Sequence, residues 1–264
     1  MPEFLYALPH QVVAPAIIGS LCAFGLGGLL LVRRYVLPRL EVHVEDSQFT
    51  GTMLQAILVF YGLAVALIAV NVWQSYSDSQ KVISGEASAI NALYRDVTSY
   101  PEPLRSQLQQ ALQDYTEQVV RSAWPLQQQG RVPTAGIAHM THFQAMLDTF
   151  EPATEGQKLL HGEVLRAYNG LIQARRQRLD AVHTSLPEVL WTVVILGAFI
   201  GLTGTFFFRV ADVRLHAIMV LLLAVFIGLV IFMIFALDQP FRGYLSLGAE
   251  PYQLLLDQLV KTHP

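Results

Sequence analysis

Four long apolar segments punctuate the chain, over residues 12–32, 54–73, 187–208 and 215–237. A helix needs about 20 apolar residues to cross the hydrocarbon core of a bilayer, so each segment predicts one transmembrane helix. About 20 residues separate the first segment from the second, and a turn of only a few residues separates the third from the fourth. The pattern therefore predicts two transmembrane hairpins.

The second apolar segment becomes polar at Gln74 without any residue that would end a helix. No proline occurs between Arg39 and Tyr100, and the only glycines of residues 54–98 are Gly62 and Gly85. A helix of about 45 residues would be roughly 65 Å long, about twice the thickness of the hydrocarbon core. We expect one continuous helix that begins in the membrane and ends in a domain outside it.

The polar insert between the second and third spans has a helical pattern throughout. Apolar residues recur at intervals of three and four, which predicts amphipathic helices over residues 78–98, 102–129, 137–150 and 155–184. Short segments with Pro and Gly separate these helices, and short connections favour antiparallel neighbours. The insert is thus predicted to be an antiparallel helical bundle.

The expected fold class is an all-α membrane protein with four domains or segments. Residues 1–74 form the N-terminal transmembrane hairpin and residues 187–237 the C-terminal one, with the helical bundle, residues 75–186, between them. Residues 238–264 form an interfacial tail whose short amphipathic helix covers residues 251–260.

Composition supports an integral membrane protein. Hydrophobic residues make up 53% of the chain and charged residues 14%, where a soluble domain has about 25% charged residues. The net charge of −3 gives no reason to expect a nucleic-acid partner. Cys22 is the only cysteine, so a disulfide within the chain is impossible.

The sequence contains no signature of an enzyme, and we expect neither catalytic residues nor a cofactor. Phosphate-binding loops, nucleophile elbows and zinc-protease motifs are absent. His139 and His142 share a helical face, but two ligands do not specify a metal site. Glu41, His43 and Glu45 alternate along the chain, and nothing else there indicates metal binding.

Two clusters of polar residues in the insert are interpreted as surface residues and not as binding sites. We interpret the arginine cluster, Arg175, Arg176 and Arg178, as solvated or facing lipid rather than as an anion site. The glutamines of the second amphipathic helix, among them Gln109 and Gln113, are interpreted as a solvated face.

Four polar residues near the membrane end of the second span are the candidate functional positions. Asn71, Gln74, Ser75 and Asp78 are three or four apart, which places them on one helical face. Such a stripe either forms hydrogen bonds at the membrane interface or lines a pore or vestibule. A carboxylate at Asp78 would oppose anion entry unless it were paired, for example with Lys81.

Small residues four apart form a second stripe on the first span. Gly19, Ala23 and Gly27 make a flat face that another helix can approach closely. This face either packs within the subunit or forms a contact between subunits.

Cations near the span ends predict the orientation. Arg33, Arg34, Arg39, Arg209 and Arg214 lie at the two hairpin turns, whereas the opposite side has fewer cations outside the long insert. Positively charged short loops remain in the cytoplasm, and long domains count weakly. We therefore expect a multi-pass protein of the bacterial inner membrane with both termini and the bundle outside the cytoplasm.

Three motifs together resemble a bacterial membrane-protein family of unknown function described as bestrophin-like. They are Gly85-Glu86-Ala87 with Leu93-Tyr94, Arg176-x-Arg178-Leu179 with Leu186-Pro187 and Trp191, and Leu237-Asp238-x-Pro240-Phe241-Arg242-Gly243. The resemblance covers nearly the whole chain. We interpret the last motif, Asp238, Pro240, Phe241, Arg242 and Gly243, as a structural clasp that fixes the tail.

Bestrophins proper are pentameric anion channels with four spans per subunit, and their second span lines the pore. The resemblance implies this architecture for the chain and favours a pentamer, although bestrophins keep the insert in the cytosol, opposite to the arginine count. The leading hypothesis is thus a homo-oligomeric ion channel in the lipid bilayer, passing small ions. The alternative is a membrane-anchored sensory or scaffolding module whose bundle binds a ligand or partner protein.

The orientation is testable by labelling. In a Cys22→Ala background, the variant Ser106→Cys is expected to react with a membrane-impermeant maleimide in intact cells. The reason is that residue 106 belongs to the bundle, which is predicted to lie outside the cytoplasm. Labelling only after lysis would reverse the predicted orientation.

Overall fold

The computed structural model describes residues 10–39, 44–208, 210–243 and 245–262, and this part of the chain contains no strand. Short π- and 3₁₀-helical turns follow α1 and α2 and join α3 to α4. The α-helices are α1 (His10–Leu31), α2 (Val44–Asp96), α3 (Leu104–Gln118), α4 (Trp124–Gln128), α5 (Gly136–Asp148), α6 (Glu155–Ala181), α7 (Glu188–Thr205), α8 (Val213–Asp238) and α9 (Glu250–Thr262).

The predicted all-α membrane fold is confirmed. Four helical stretches of the described chain are long and apolar enough to cross a membrane, at Gln11–Arg39, Gly51–Ser99, Glu188–Thr205 and Val213–Asp238. The long helix is also present, since α2 continues from the second apolar segment into the polar insert without a break. The missing proline explains this continuity, because every residue of α2 can donate a backbone hydrogen bond.

The chain forms two compact units. Met1–Gln74 with Ser185–Asp238 form one, called here the membrane unit, and Ser75–Thr184 with Gln239–Pro264 form the other, called the bundle unit. Helix α2 contributes residues to both units.

Glycines of the membrane unit let α1 lie close to α7 and α8. A Cβ added at Gly28 would stand 2.3 Å from the ring of Phe206, just after α7. One added at Gly228 of α8 would stand 3.1 Å from the backbone of Ile18. Phe24 also packs edge-on against Phe199 of α7, with ring centroids 4.7 Å apart. These side chains fill the space that the glycines leave.

Helix α2 packs against a glycine face of α7. A Cβ added at Gly197 would meet the ring of Tyr61 at 2.3 Å, and one at Gly204 would meet Leu54 at 2.4 Å. The Tyr61 hydroxyl donates a hydrogen bond to the Val194 carbonyl, 3.0 Å away. By contrast, Gly19 and Gly27 of α1 have nothing within 4 Å of an added Cβ.

The bundle unit is built around one apolar core. Buried side chains of α2, α3, α5, α6 and α9 form a single cluster that includes Leu93, Leu112, Phe143 and Leu171. Thr154 and Gln157 close a capping box at the start of α6, which fixes where this helix begins. Helix α9, which our sequence analysis assigned to an interfacial tail, lies in this core.

Three residues of α9 show its place in the bundle. Tyr252, Leu255 and Leu259 are 0%, 4% and 3% exposed. They lie on one helical face, since they are three and four residues apart. The bundle unit therefore takes part of its core from residues that follow the last transmembrane helix.

Candidate functional site

The four predicted pore residues lie on α2 with unequal exposure. Asn71 and Gln74, at the end of the membrane unit's part of α2, are both exposed. In the bundle unit, Ser75 is half-buried and Asp78 is exposed. All four side chains therefore keep accessible surface in the single chain.

The carboxylate of Asp78 has a cationic partner on the same helix. Lys81 Nζ lies 2.8 Å from Asp78 Oδ1, so the pair that our sequence analysis named is present. Both side chains are more than half exposed, at 73% and 59%. An exposed pair adds little stability, but it reduces the net charge of this turn of α2.

Ser75 and Asp78 also line a polar cavity of about 320 Å³ within the bundle unit. Ser79 and Val82 complete the α2 side, and Asp180 of α6 lies on the other side. Thr184, just beyond α6, adds a further hydroxyl. The cavity is therefore rich in side-chain oxygens, and it brings two of the predicted residues together.

The membrane part of α2 has a large exposed apolar surface. Leu63, Leu67, Val70 and Trp73 are each 58–65% exposed. An apolar cavity of about 600 Å³ lies between α2 and α8, lined on the α2 side by small residues such as Ala66. Lipid or another subunit must cover this surface, because water would not solvate it favourably.

A buried charged network, absent from our sequence-based candidates, lies inside the bundle unit. Glu86 of α2 is 0% exposed and pairs with Arg178 of α6, whose Nε and Nη2 donate to the two carboxylate oxygens. Tyr252 of α9 donates to Glu86 Oε2 over 3.0 Å. Tyr115 of α3 donates to Glu86 Oε1 over 2.5 Å. One carboxylate thus binds side chains from three other helices.

Electrostatics in this network favour a charged pair with neutral phenols. Burial, and then the Glu86 carboxylate, raise the pKa of Tyr115 and of Tyr252 far above the ordinary tyrosine value. Burial disfavours the charged form of Arg178, but Glu86, Tyr252 and Tyr115 together outweigh it, and the pKa of Arg178 is raised. Both phenols therefore act as hydrogen-bond donors at neutral pH.

The sequence contains a pattern that indicates the burial of Glu86. Glu86 lies three residues after Ile83 and four before Ile90, on the apolar face of α2. A carboxylate on such a face needs buried donors. Our interpretation of the arginine cluster was wrong for Arg178, which is 1% exposed. Arg178 follows the buried Leu171 by seven residues, and so shares its face of α6.

Asp238, the first residue of the tail motif, is buried at the end of α8 in the membrane unit. Its Oδ1 accepts a hydrogen bond from the backbone N–H of Leu186. Its Oδ2 accepts one from Trp191 Nε1 at 3.2 Å. The carboxylate thus fixes the chain segment that leads into α7 and the first turn of that helix.

The remaining motif residues lie in the bundle unit. The Pro240 carbonyl accepts a hydrogen bond from the Leu247 N–H over 2.7 Å. Phe241 is 1% exposed and packs on Trp124, with ring centroids 5.7 Å apart. The Arg242 side chain lies over Gly130, where φ is +75° and an added Cβ would be 3.2 Å from the guanidinium. Gly243 has φ of +84°, a conformation that favours glycine.

Among the described residues, no group of three or more His, Cys, Asp or Glu side chains is placed to hold a metal ion. Glu41 and His43 lie outside the described residues, and so does the side chain of Glu45. His161 shares a hydrogen bond of 2.6 Å with the hydroxyl of Tyr100.

Comparison with protein families agrees with this architecture. A family model described as a bestrophin-like domain matches residues 19–252, which include most of the first span, the other three spans and most of the bundle unit. The chain belongs to the bestrophin-like family. None of the curated proteins matches this bestrophin-like chain.

Solved bestrophin structures share the fold of this bestrophin-like chain. Two point variants of a bacterial bestrophin homologue from Klebsiella pneumoniae align with TM-scores of 0.68 and 0.66, both at 11% identity. The alignments cover 94% and 95% of this chain and 99% of each homologue. A variant of a membrane protein aligns with a TM-score of 0.66 at 12% identity, over 95% of this chain and 98% of its own. At these identities the likeness shows the fold alone.

The buried network generates a stability prediction. The variant Arg178→Met leaves Glu86 buried without its cation, which we expect to lower the free energy of unfolding by about 3–5 kcal/mol. Tyr252→Phe removes one hydrogen bond to a charged acceptor, with an expected loss of about 1–3 kcal/mol. Chemical denaturation of the full-length protein in detergent measures both.

Arg176→Met is the matched control, because Arg176 lies two residues away and is exposed. We expect this control to unfold within about 0.5 kcal/mol of the parent protein. Equal denaturation midpoints for Arg178→Met and Arg176→Met would contradict a role of the network in stability.

Proposed function

We propose that this bestrophin-like protein is a homo-oligomeric ion channel in which α2 lines the pore and anions are conducted. The observation that carries the proposal is the exposed surface of α2. Asn71 and Gln74 are exposed beside exposed apolar residues such as Val70 and Trp73. Polar side chains at a membrane helix need water or a polar partner, and a ring of α2 helices around a water-filled axis supplies both.

The polar residues are compatible with anion passage. Asn71 and Gln74 carry no charge, and their side-chain amides can donate hydrogen bonds to an anion. Asp78 would repel anions, but its ion pair with Lys81 reduces this repulsion. Anion selectivity therefore requires that this pair stays formed when the pore conducts.

Resemblance to bestrophins favours a pentamer. In a closed ring, the apolar surfaces of α1 and α2 would meet lipid or a neighbouring subunit. The Gly19, Ala23 and Gly27 face has room for such a neighbour, because nothing in the described chain lies within 4 Å of an added Cβ at Gly19 or Gly27. Close approach of helices at small residues stabilises contacts in membranes.

The proposed location is the bacterial inner membrane, with the bundle outside the cytoplasm. The two hairpin turns lie together, since Arg33 Nη2 donates to the Ala211 carbonyl at 3.4 Å. Their arginines therefore form one cationic side of the membrane unit, as the positive-inside rule requires for the cytoplasmic side. Arg209 lies outside the described residues.

The tail motif is proposed to be a structural clasp. Asp238 fixes the end of α8 within the membrane unit through two buried N–H donors. Phe241 and Arg242 fix the following turn within the bundle unit, against Trp124 and Gly130. A structural clasp needs no contact with ions, so we assign the motif a role in the stability of the fold.

Oligomeric symmetry and conductance test the channel. Single-particle images of the protein in nanodiscs are expected to show a closed ring with α2 around an axial opening. In planar bilayers, Asn71→Leu and Gln74→Leu are expected to reduce anion conductance several-fold, because leucine dewets a narrow polar passage. Both variants are expected to assemble as the parent protein does.

Gln55→Leu is the matched control, since it makes the same change on α2. It lies 16 residues before Asn71, about 160° away around the helix. A monomer or a two-fold dimer without an axial path would overturn the channel proposal and favour the sensory or scaffolding module. If all three variants conducted as the parent does, Asn71 and Gln74 would be excluded from the pore lining.

The clasp is tested separately by thermal unfolding. Asp238→Ala leaves two buried N–H groups without an acceptor, so we expect a loss of about 1–3 kcal/mol for each group. Arg242→Ala is expected to lower the unfolding temperature by a smaller amount, through lost packing on Gly130. Glu188→Ala, at an exposed acid of α7, is the control. If Arg242→Ala behaved like this control, Arg242 would be excluded from the clasp.

A further inference from the structure

A cavity of about 400 Å³ lies within the bundle unit, apart from the residues proposed to line the pore. Its walls come from the end of α2, the start of α3 and the end of α9. This volume is within the usual range for small-molecule sites, about 300–1,000 Å³. The cavity is large enough for a small organic ligand.

The lining is cationic and rich in hydrogen-bonding groups. Arg95 and Arg105 contribute the charges, and Asn91, Gln109 and Gln258 contribute side-chain amides. Gln109 lines the cavity and is only 5% exposed, so it does not belong to a solvated face. The burial of Gln109, and of Gln127 at 0% exposure, corrects our interpretation of this glutamine-rich segment as a solvated face.

The two arginines differ in how their charges are matched. Arg105 Nε donates to Glu102 Oε1 over 2.7 Å, so this guanidinium already has a carboxylate partner. None of the ion pairs among the described residues includes Arg95. Acidic side chains are absent from the described lining, although Asp96 and Asp257 are neighbours of lining residues in the chain. Within the part of the chain that the structure describes, the cavity thus has one unmatched positive charge.

Apolar groups form the rest of the wall. Leu259 is 3% exposed and Tyr94 is 4% exposed, and both line the cavity. A ligand that fits such a wall has an apolar body and one charged end. A guanidinium forms paired hydrogen bonds with a carboxylate, and the single unmatched cation suits a monoanion better than a phosphate dianion.

We propose that this cavity binds a small organic monocarboxylate, with Arg95 as the anchoring cation, Gln109 as a hydrogen-bonding group and Leu259 against the apolar body. The ligand contacts α2, α3 and α9 together. Binding therefore stabilises the bundle unit in proportion to ligand excess over the dissociation constant. The proposal does not depend on whether the protein conducts ions.

The probe is 4-fluorobenzoate, observed by fluorine NMR with the full-length protein in nanodiscs. Its chemical shift or line width is titrated against protein, and empty nanodiscs give the background from partition into lipid. We expect saturable binding of 4-fluorobenzoate and at least about tenfold weaker binding of 4-fluorobenzylamine, which has the opposite charge. Equal binding of the two probes would overturn the proposal, and so would no binding of 4-fluorobenzoate above background.

Substitutions locate the site. Arg95→Gln is expected to weaken 4-fluorobenzoate binding at least about tenfold, the usual effect of losing a charge-assisted hydrogen bond. Arg176→Gln removes an exposed arginine of the same unit away from the cavity, and Asn71→Leu alters the proposed pore; both are expected to bind as the parent does. Arg95 is exposed, so the fold is expected to survive its substitution, which a thermal unfolding curve checks.

Equal affinities of Arg95→Gln and Arg176→Gln would place the probe elsewhere and overturn the proposal. If Asn71→Leu alone lost binding, the probe would be assigned to the pore, and the proposal would again be overturned. Inorganic phosphate is added as a competitor at constant ionic strength. Displacement of the probe by phosphate at lower concentration than by unlabelled benzoate would overturn the assignment to carboxylates.

Discussion

The bundle unit depends on one carboxylate that has no contact with solvent. Glu86 would be strongly unfavourable in an apolar core without donors, because desolvation of a charge costs far more than one hydrogen bond returns. Its donors come from Tyr115, Arg178 and Tyr252, on α3, α6 and α9. The arrangement and register of these helices around α2 bring all three donors to the carboxylate. The apolar core supplies most of the stability, and the network selects which helices meet.

Helix packing in the membrane unit depends mainly on shape, apart from the buried Asp238 carboxylate at the end of α8. Lipid tails are as apolar as the helix surfaces, so close van der Waals contact stabilises helix pairs there. Gly197 and Gly204 of α7 receive Tyr61 and Leu54 of α2, and Gly28 of α1 receives Phe206. The remaining apolar surface of α2 is left exposed. Different interactions therefore hold the helices together in the two units, and α2 contributes residues to both.

Features that follow from local pattern were predictable, whereas features that need a distant partner were not. The absence of proline between Arg39 and Tyr100 was enough to predict that α2 continues beyond the membrane. The amphipathic helix over residues 251–260 was also predicted, but an amphipathic pattern does not say which surface covers its apolar face. Arg178 was misjudged, and the burial of Glu86 was not predicted, for the same reason. The two charges are tolerated in the core because they pair there, although they are 92 residues apart in sequence. The pore role of Asn71, Gln74, Ser75 and Asp78 stays a prediction, since it concerns surfaces that a single chain leaves open.

The position of Tyr252 has a consequence for how the protein is made. The ribosome completes Glu86 and its partner Arg178 well before it reaches Tyr252, which is 166 residues after Glu86. Until α9 emerges, the nascent bundle lacks one donor to the carboxylate and the apolar face of Tyr252, Leu255 and Leu259. All four spans are already synthesised by then. The bundle unit therefore completes its core only after all four spans have been synthesised, and a chain that ended just beyond α8 would lack this part of the core.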